Sequence, residues 1–152
     1  MGISRRQFIR FLGGAIVSFP VVSLLPERLL AKWNAGAFGA ASMEDAVREK
    51  YGSLPIEDSS AIELTAPLVA EDGLFVPVSV ASTIQGITSI SFFSEKNFSP
   101  LVASFDLLPR MRPNISLRIK VAETGKVVVI AKAGERLYRA SRMVVVSVGG
   151  CG

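Results

Sequence analysis

The spacing of short apolar runs constrains the fold of this chain more than any other feature. From Ile62 to Val148, seven runs rich in β-branched and aromatic residues are separated by turn residues such as Glu71-Asp72-Gly73. The clearest run, from Asn114 to Val121, alternates polar and apolar residues, as a strand with one face in water does. Runs that recur about every ten residues predict a mainly β, immunoglobulin-like sandwich of six to seven strands.

One short helix is predicted before the strands. Ser42 can cap the exposed amides of a first turn, and the acidic residues 44 and 45 favour the positive end of the helix dipole. Gly52 is expected to end the helix. Its apolar stripe consists of Met43, Ala46, Val47 and Tyr51.

The N-terminal segment has the features of an export signal. Arg5 and Arg6 precede an uncharged stretch at residues 11–25, and small residues follow at 35–37 and 39–41. This order describes a secretory signal, and the paired arginines resemble the twin-arginine type, which exports folded proteins. The apolar stretch is short for a membrane span and contains glycine and proline, so no stable span is expected. The alternative is a basic, amphipathic start to the first helix.

These features divide the chain into three parts. Residues 1–41 are predicted to be the signal and its cleavage region, with the mature chain beginning between Phe38 and Ser42. Residues 42–148 form the β-sandwich domain, and residues 149–152 form a C-terminal arm. The predicted location is the periplasm.

The composition excludes several kinds of chemistry. The 152 residues contain no histidine and one cysteine. Imidazole acid–base catalysis and Ser-His-Asp or Cys-His nucleophiles are therefore excluded, as are intrachain disulfides and CxxC metal sites. We predict that the chain is not an enzyme and holds no metal. The alternative is an enzyme built from acidic pairs, for which the candidates are Glu57-Asp58 and Glu71-Asp72.

The positive net charge belongs to the N-terminal segment. The chain carries a net charge of +4, and the first forty residues hold five basic residues and one acidic residue, which gives the same +4. The remainder is neutral, so nucleic acid is not an expected partner. Acidic residues dominate from Glu44 to Lys96 and basic residues from Asp106 to Arg142. This asymmetry fits two solvated faces, or the steering of an asymmetric partner.

The C-terminus carries the most distinctive chemical group. Cys151 is one residue from the end, between Gly149-Gly150 and Gly152. The paired glycines leave the backbone free to swivel beyond the last strand, and four extended residues reach about 13 Å at most. This arrangement can present a thiol to the active-site cleft of another protein.

The motifs together resemble the SoxY family, the sulfur carriers of bacterial thiosulfate oxidation. The resemblance rests on the twin-arginine signal, the small β domain and the terminal Gly-Gly-Cys-Gly. Internal segments agree as well, and they are Ala66-Pro67, Glu71-Asp72-Gly73, Val76-Pro77-Val78, Phe93-Ser94-Glu95-Lys96-Asn97 and the segment Pro100 to Phe105. The family commonly ends in Gly-Gly-Cys-Gly-Gly, whereas here a single glycine follows Cys151.

The resemblance implies a carrier that does no catalysis and has no cofactor. Cys151 would hold the sulfur intermediate covalently while partner enzymes act on it. A SoxZ-like subunit would form a heterodimer with this chain. The transient partners would be the SoxAX cytochrome, the manganese-dependent SoxB hydrolase and, in some organisms, the SoxCD dehydrogenase. The alternative function is an exported scaffold module that uses Cys151 only for an intermolecular disulfide.

The positions of three aromatic residues suggest that another structure covers the outer face of a sheet. Phe92 and Phe93 are consecutive in a predicted strand, so their side chains point to opposite faces and cannot both enter one sandwich core. Phe75 is likewise out of phase with its apolar neighbours. We expect the SoxZ-like subunit to cover the outer aromatic side chain. The alternative is that the helix Met43–Tyr51 covers it.

Overall fold

The computed structural model describes residues 34–147, and this range folds into two helices and nine strands. The helices are α1 (Ala35–Gly39) and α2 (Met43–Tyr51). The strands are β1 (Ile56–Asp58), β2 (Ile62–Thr65), β3 (Val69–Ala70), β4 (Val76–Ser82), β5 (Ile87–Ser94), β6 (Leu101–Asp106), β7 (Asn114–Ile119), β8 (Gly125–Ala133) and β9 (Arg136–Val146).

The strands form two sheets. The larger sheet has the order β1-β9-β8-β5-β6, with β3 also paired to β9, and the smaller has the order β2-β4-β7. The short strands β1 and β3 run parallel to β9, and the other pairings are antiparallel. The predicted mainly β sandwich is confirmed. All seven predicted runs are strands, whereas β1 and β3, with three and two residues, are too short to show a periodic pattern.

The sandwich core lies between the inner faces of the two sheets. Phe92 of β5 is completely buried there, and its ring meets that of Phe105 edge to face at a centroid distance of 6.1 Å. Most of the remaining core is aliphatic, with Val76, Val78 and Val80 from β4 and Val127 and Val129 from β8. The alternation of these residues along their strands follows from the two-residue period of the β-strand.

The helices cover part of the outer face of the larger sheet and form a second core there. Phe93 is fully buried in it, beside Val47 and Tyr51 of α2 and Val128 of β8. The two aromatic residues therefore lie on opposite faces, as predicted. The expectation that a partner subunit covers the outer one is wrong, because α2 already buries Phe93 within the chain.

Helix α2 forms where the sequence predicts it. Ser42 accepts a hydrogen bond from the amide of Asp45 at 3.0 Å, and Gly52 ends the helix with a positive φ of 70°. A polar contact then fixes the helix on the sheet. The Tyr51 hydroxyl lies 2.7 Å from Oγ of Ser91 and 3.3 Å from Oγ of Ser89, both buried on β5.

Helix α1 was not predicted, and it packs beside α2 within the second core. The side chain of Ala37, in this helix, is completely buried. Asn34 caps the helix by accepting from the amide of Ala37 at 2.9 Å, and its own amide group donates to the carbonyl of Glu49 on α2 at 3.1 Å. The Ser99 hydroxyl donates to the carbonyl of Phe38. Residues 34–41 of the predicted cleavage region are thus folded on the domain, and residues 1–33 lie outside the described range.

Candidate functional site

The predicted carrier arm leaves the domain from the end of β9, and the backbone there is held on both sides. On one side, the amides of Val145 and Ser147 donate to the carbonyls of Leu68 at 2.8 Å and Ala70 at 3.0 Å. On the other, the amide of Val146 donates to the hydroxyl of Thr124 at 3.0 Å. The chain is therefore fixed in place as far as Ser147. The predicted site residues Gly149, Gly150, Cys151 and Gly152 lie outside the described residues, as do Arg5 and Arg6.

The loop between β3 and β4 packs closely against the end of β9. The carbonyl of Gly73 accepts from the amide of Val121 at 2.7 Å. A Cβ atom at Gly73 would lie 2.4 Å from the carbonyl oxygen of Val121 and 3.1 Å from a methyl group of Val146. Only glycine allows this approach, because any side chain would overlap the neighbouring backbone.

A second loop at this end is tied down by one side chain. The Asn97 amide group donates to the carbonyl of Lys120 at 2.8 Å, and its oxygen accepts from the amide of Ala122 at 2.8 Å. Asn97 therefore joins the β5–β6 loop to the backbone on either side of Val121. Two loops and the end of β9 are thus held together around the point from which the arm extends.

The acidic pairs considered for an enzyme have structural partners instead. Glu57 forms an ion pair with Arg136 at 3.1 Å, and Asp58 forms a bidentate pair with Arg139 at 2.7 and 3.0 Å. The hydrogen bonds from Arg139 lower the pKa of Asp58, which suits a permanently ionised partner rather than an acid catalyst. These pairs join β1 to β9, so acidic and basic parts of the chain neutralise each other there.

The other acidic pair lies at a turn and far from the first. The Asp72 side chain accepts from the amide of Leu74 at 2.8 Å, which is a local turn contact. Glu57 is paired with Tyr138 and Ala70 with Val146, eight residues further along β9. At about 3.3 Å per residue, the two acidic pairs lie at opposite ends of that strand and share no site.

Within residues 34–147, no group of three or more histidine, cysteine or carboxylate side chains could hold a metal ion. In the same range, no helix is long and apolar enough to cross a membrane. Exposed apolar side chains near the end of β9, such as Leu68, Phe98 and Val145, could not be recognised from the sequence. The one signal available was Phe75, whose position out of phase agrees with its 66% exposure.

The fold and the sequence together define a class: a small β-sandwich domain whose last strand is followed in the sequence by a cysteine between glycines. The family described as "Sulfur oxidation protein SoxY" matches residues 47–151. The solved structure of the sulfur carrier protein SoxY from Chlorobium limicola f thiosulfatophilum is similar, with 54% sequence identity and a TM-score of 0.65. The match covers 70% of this chain and 97% of the Chlorobium chain. No curated protein sequence matched the chain.

The chain belongs to the SoxY family, and its role is that of a sulfur carrier in sulfur oxidation. The family match ends at Cys151 and so includes the terminal Gly-Gly-Cys.

Proposed function

We propose that the chain carries sulfur intermediates of thiosulfate oxidation covalently on the thiol of Cys151. The observation that carries this proposal is the extent of the family match, which begins in α2 and continues to Cys151. The fixed end of β9 supports it, because the residues that follow start from a defined position on a rigid domain. The chain itself supplies the thiol and the glycines around it, and partner enzymes supply the catalysis.

The chemistry balances with an external oxidant. The Cys151 thiol and the outer sulfur of thiosulfate lose two electrons and one proton, and an S–S bond forms between them to give a cysteine S-thiosulfonate. A c-type cytochrome such as SoxAX accepts the electrons. Water then cleaves the bond between the two thiosulfate-derived sulfur atoms at a SoxB-like hydrolase. This step releases sulfate and leaves a persulfide on Cys151, which a SoxCD-like dehydrogenase would oxidise further.

We propose further that the chain acts in the periplasm as a heterodimer with a SoxZ-like subunit. The paired residues Arg5 and Arg6 support twin-arginine export, which carries folded proteins and assembled complexes. Because Gly149, Gly150 and Gly152 have no side chains, the residues around the thiol add little bulk, and the arm can enter a narrow cleft. The carrier needs no cofactor of its own in this scheme.

The decisive experiment replaces the thiol. Cys151→Ser is expected to abolish thiosulfate-dependent cytochrome reduction in a reconstituted mixture, because a serine hydroxyl cannot form the S–S bond. The matched control is Ser147→Ala, which changes the last described residue of the same segment and keeps the thiol. Normal activity in the Cys151→Ser protein would contradict the proposal.

Intact mass distinguishes a carrier from a scaffold. Protein isolated from thiosulfate-grown cells is expected to carry thiosulfonate or persulfide adducts, which disappear on reduction and are absent from the Cys151→Ser protein. If disulfide-linked dimers are the sole modified form, the scaffold function is supported instead.

A further inference from the structure

Exposed apolar side chains concentrate at the end of the sandwich where β9 ends. Among residues 34–147, eleven large apolar side chains are exposed. Four of these lie on the other half of the domain: Ile56, Phe105, Leu108 and Met111. The remaining seven lie on loops and strand ends near the end of β9, which the predicted arm follows in the sequence. They are Leu68, Val69, Leu74, Phe75, Phe98, Met143 and Val145. We call these seven side chains the arm-end apolar surface.

Backbone contacts place these side chains at one end. Val69 is paired with Val145, and the carbonyl of Leu68 accepts from the Val145 amide. Met143 lies two residues before Val145 on the same face of β9. The carbonyl of Gly73 accepts from the Val121 amide, a Cβ atom at Gly73 would meet Val146, and Leu74 and Phe75 follow Gly73 directly.

Phe98 is the most exposed member, with 95% of its surface in contact with solvent. Its neighbour Asn97 holds the loop to the backbone at Lys120 and Ala122, on either side of Val121. Because the backbone beside it is fixed, the exposure of Phe98 is not that of a loosely attached loop. A ring this exposed buries little surface within the chain, and it is informative because it lies among other exposed apolar side chains, since apolar patches mark interaction sites.

The length of the arm limits where a partner must lie. Cys151 is the fourth residue after Ser147, so its Cα atom lies at most about 13 Å from the Cα atom of Ser147, the last described residue. An enzyme that acts on a sulfur group inside a cleft must therefore bring the entrance of that cleft against this end of the domain. The arm-end apolar surface is what such an enzyme would contact.

We propose that the arm-end apolar surface docks on the protein surface around the active-site entrance of the enzyme that loads sulfur onto Cys151. This inference rests on the proposed carrier function and assigns the surface that delivers the arm. Phe98 and Phe75 are its anchors, because aromatic side chains dominate the affinity of protein interfaces. The partner has an apolar rim around a cleft deep enough to receive the arm and no deeper than the arm can reach.

The test introduces a charge at each anchor. Phe98→Asp and Phe75→Asp are each expected to raise the KM for carrier in cytochrome-driven loading at least about tenfold, with kcat little changed. The reaction of Cys151 with iodoacetamide should keep its normal rate, because a small reagent needs no docking. The matched control is Leu108→Asp, which places the same charge at a side chain that is 70% exposed on the other half of the domain. Its KM should be unchanged.

The outcomes separate this inference from its alternatives. An unchanged KM in both phenylalanine variants, or an equal rise in Leu108→Asp, would overturn it. So would loss of the stable heterodimer with the SoxZ-like subunit in Phe98→Asp, since that result would assign the surface to the constant partner. Failure of the carrier function itself would show differently, as full activity in Cys151→Ser.

Discussion

The outer face of the larger sheet has two halves that the chain treats differently. In one half, helices α1 and α2 bury Phe93, Val128 and Leu137 completely or almost so. In the other half, next to the root of the arm, no helix of the described chain covers Met143 and Val145, which are 47% and 42% exposed. Both halves are built from the same strands β8 and β9.

The difference separates the part of the sheet that contributes to stability from the part that the proposed docking would use. A sheet with apolar residues on both faces must have each face covered, and the chain covers the outer face from Leu101 of β6 to Leu137 of β9 with its own helices. It leaves apolar side chains exposed where the arm begins. The covered half therefore contributes a second core, and the bare half is available for docking.

Removing α1 should expose part of the second core to solvent, and we expect the largest loss of stability from this change. A chain that begins at Ser42 loses the buried side chain of Ala37, the two hydrogen bonds of Asn34 and the contact between Phe38 and Ser99. The expected loss is about 2–4 kcal/mol, in the range of large-to-small core substitutions. Urea denaturation measures it against a chain that begins at Asn34.

The same comparison bears on the predicted cleavage region. If the mature chain begins between Phe38 and Ser42, the exported protein lacks α1 and should have the lower stability. N-terminal sequencing of the exported protein identifies which chain is made. Equal unfolding midpoints for the two chains would show that α1 contributes nothing to the second core.

The end of the domain near Met143 and Val145 should be rigid although no helix covers these side chains, and a substitution in the neighbouring β3–β4 loop, at Gly73, tests this. A methyl group in Gly73→Ala would overlap the carbonyl of Val121, so the loop must move away from the end of β9. We expect a loss of about 1–3 kcal/mol, as for other overpacked sites. The control is Gly39→Ala, where an added Cβ meets nothing within 4 Å. A neutral result at Gly73 would mean that the loops around the arm are loosely held.

The sequence predicted the sandwich well because its main strands are long enough to show a pattern. Helix α2 was also predicted, since Ser42 and Gly52 are strong start and stop signals. Strands β1 and β3 were missed because two or three residues carry no period. Helix α1 was missed because Ala35-Gly36-Ala37 has the small residues of a cleavage site and only a single helical turn.

The site could be predicted only in part. Cys151 stands out because it is the single cysteine in the sequence and has glycine on both sides. The arm-end apolar surface did not stand out, since Leu68, Phe75 and Phe98 come from separate loops that are brought together only by backbone contacts in the fold. The prediction that a partner subunit covers the outer aromatic side chain was wrong, because the pattern within one strand does not show that α2 packs on Phe93.

The position of α2 on the covered half depends on Tyr51, and its replacement should have the smallest effect of the three. Tyr51→Phe keeps the ring and removes the hydroxyl that contacts Ser89 and Ser91. Ser91 keeps a second partner, Oγ of Ser104 at 3.0 Å, so the network is weakened and not abolished. The expected loss is about 1 kcal/mol, the net value of a typical hydrogen bond.

The pH dependence of the free energy of unfolding tests whether the Tyr51 hydroxyl accounts for this loss of stability. Burial raises the pKa of Tyr51 above its ordinary value of 10.0, despite the hydrogen bonds from Ser89 and Ser91, which lower it. Between pH 10 and the raised value the folded chain retains a proton that the unfolded chain has lost, so stability falls as pH rises in that interval. Below pH 10 this contribution is fully present. Urea denaturation at pH 8 and pH 10.5 should therefore show a smaller alkaline loss for Tyr51→Phe than for the unsubstituted chain. Equal losses would show that Tyr51 is not the group that ties α2 to the sheet in its neutral form.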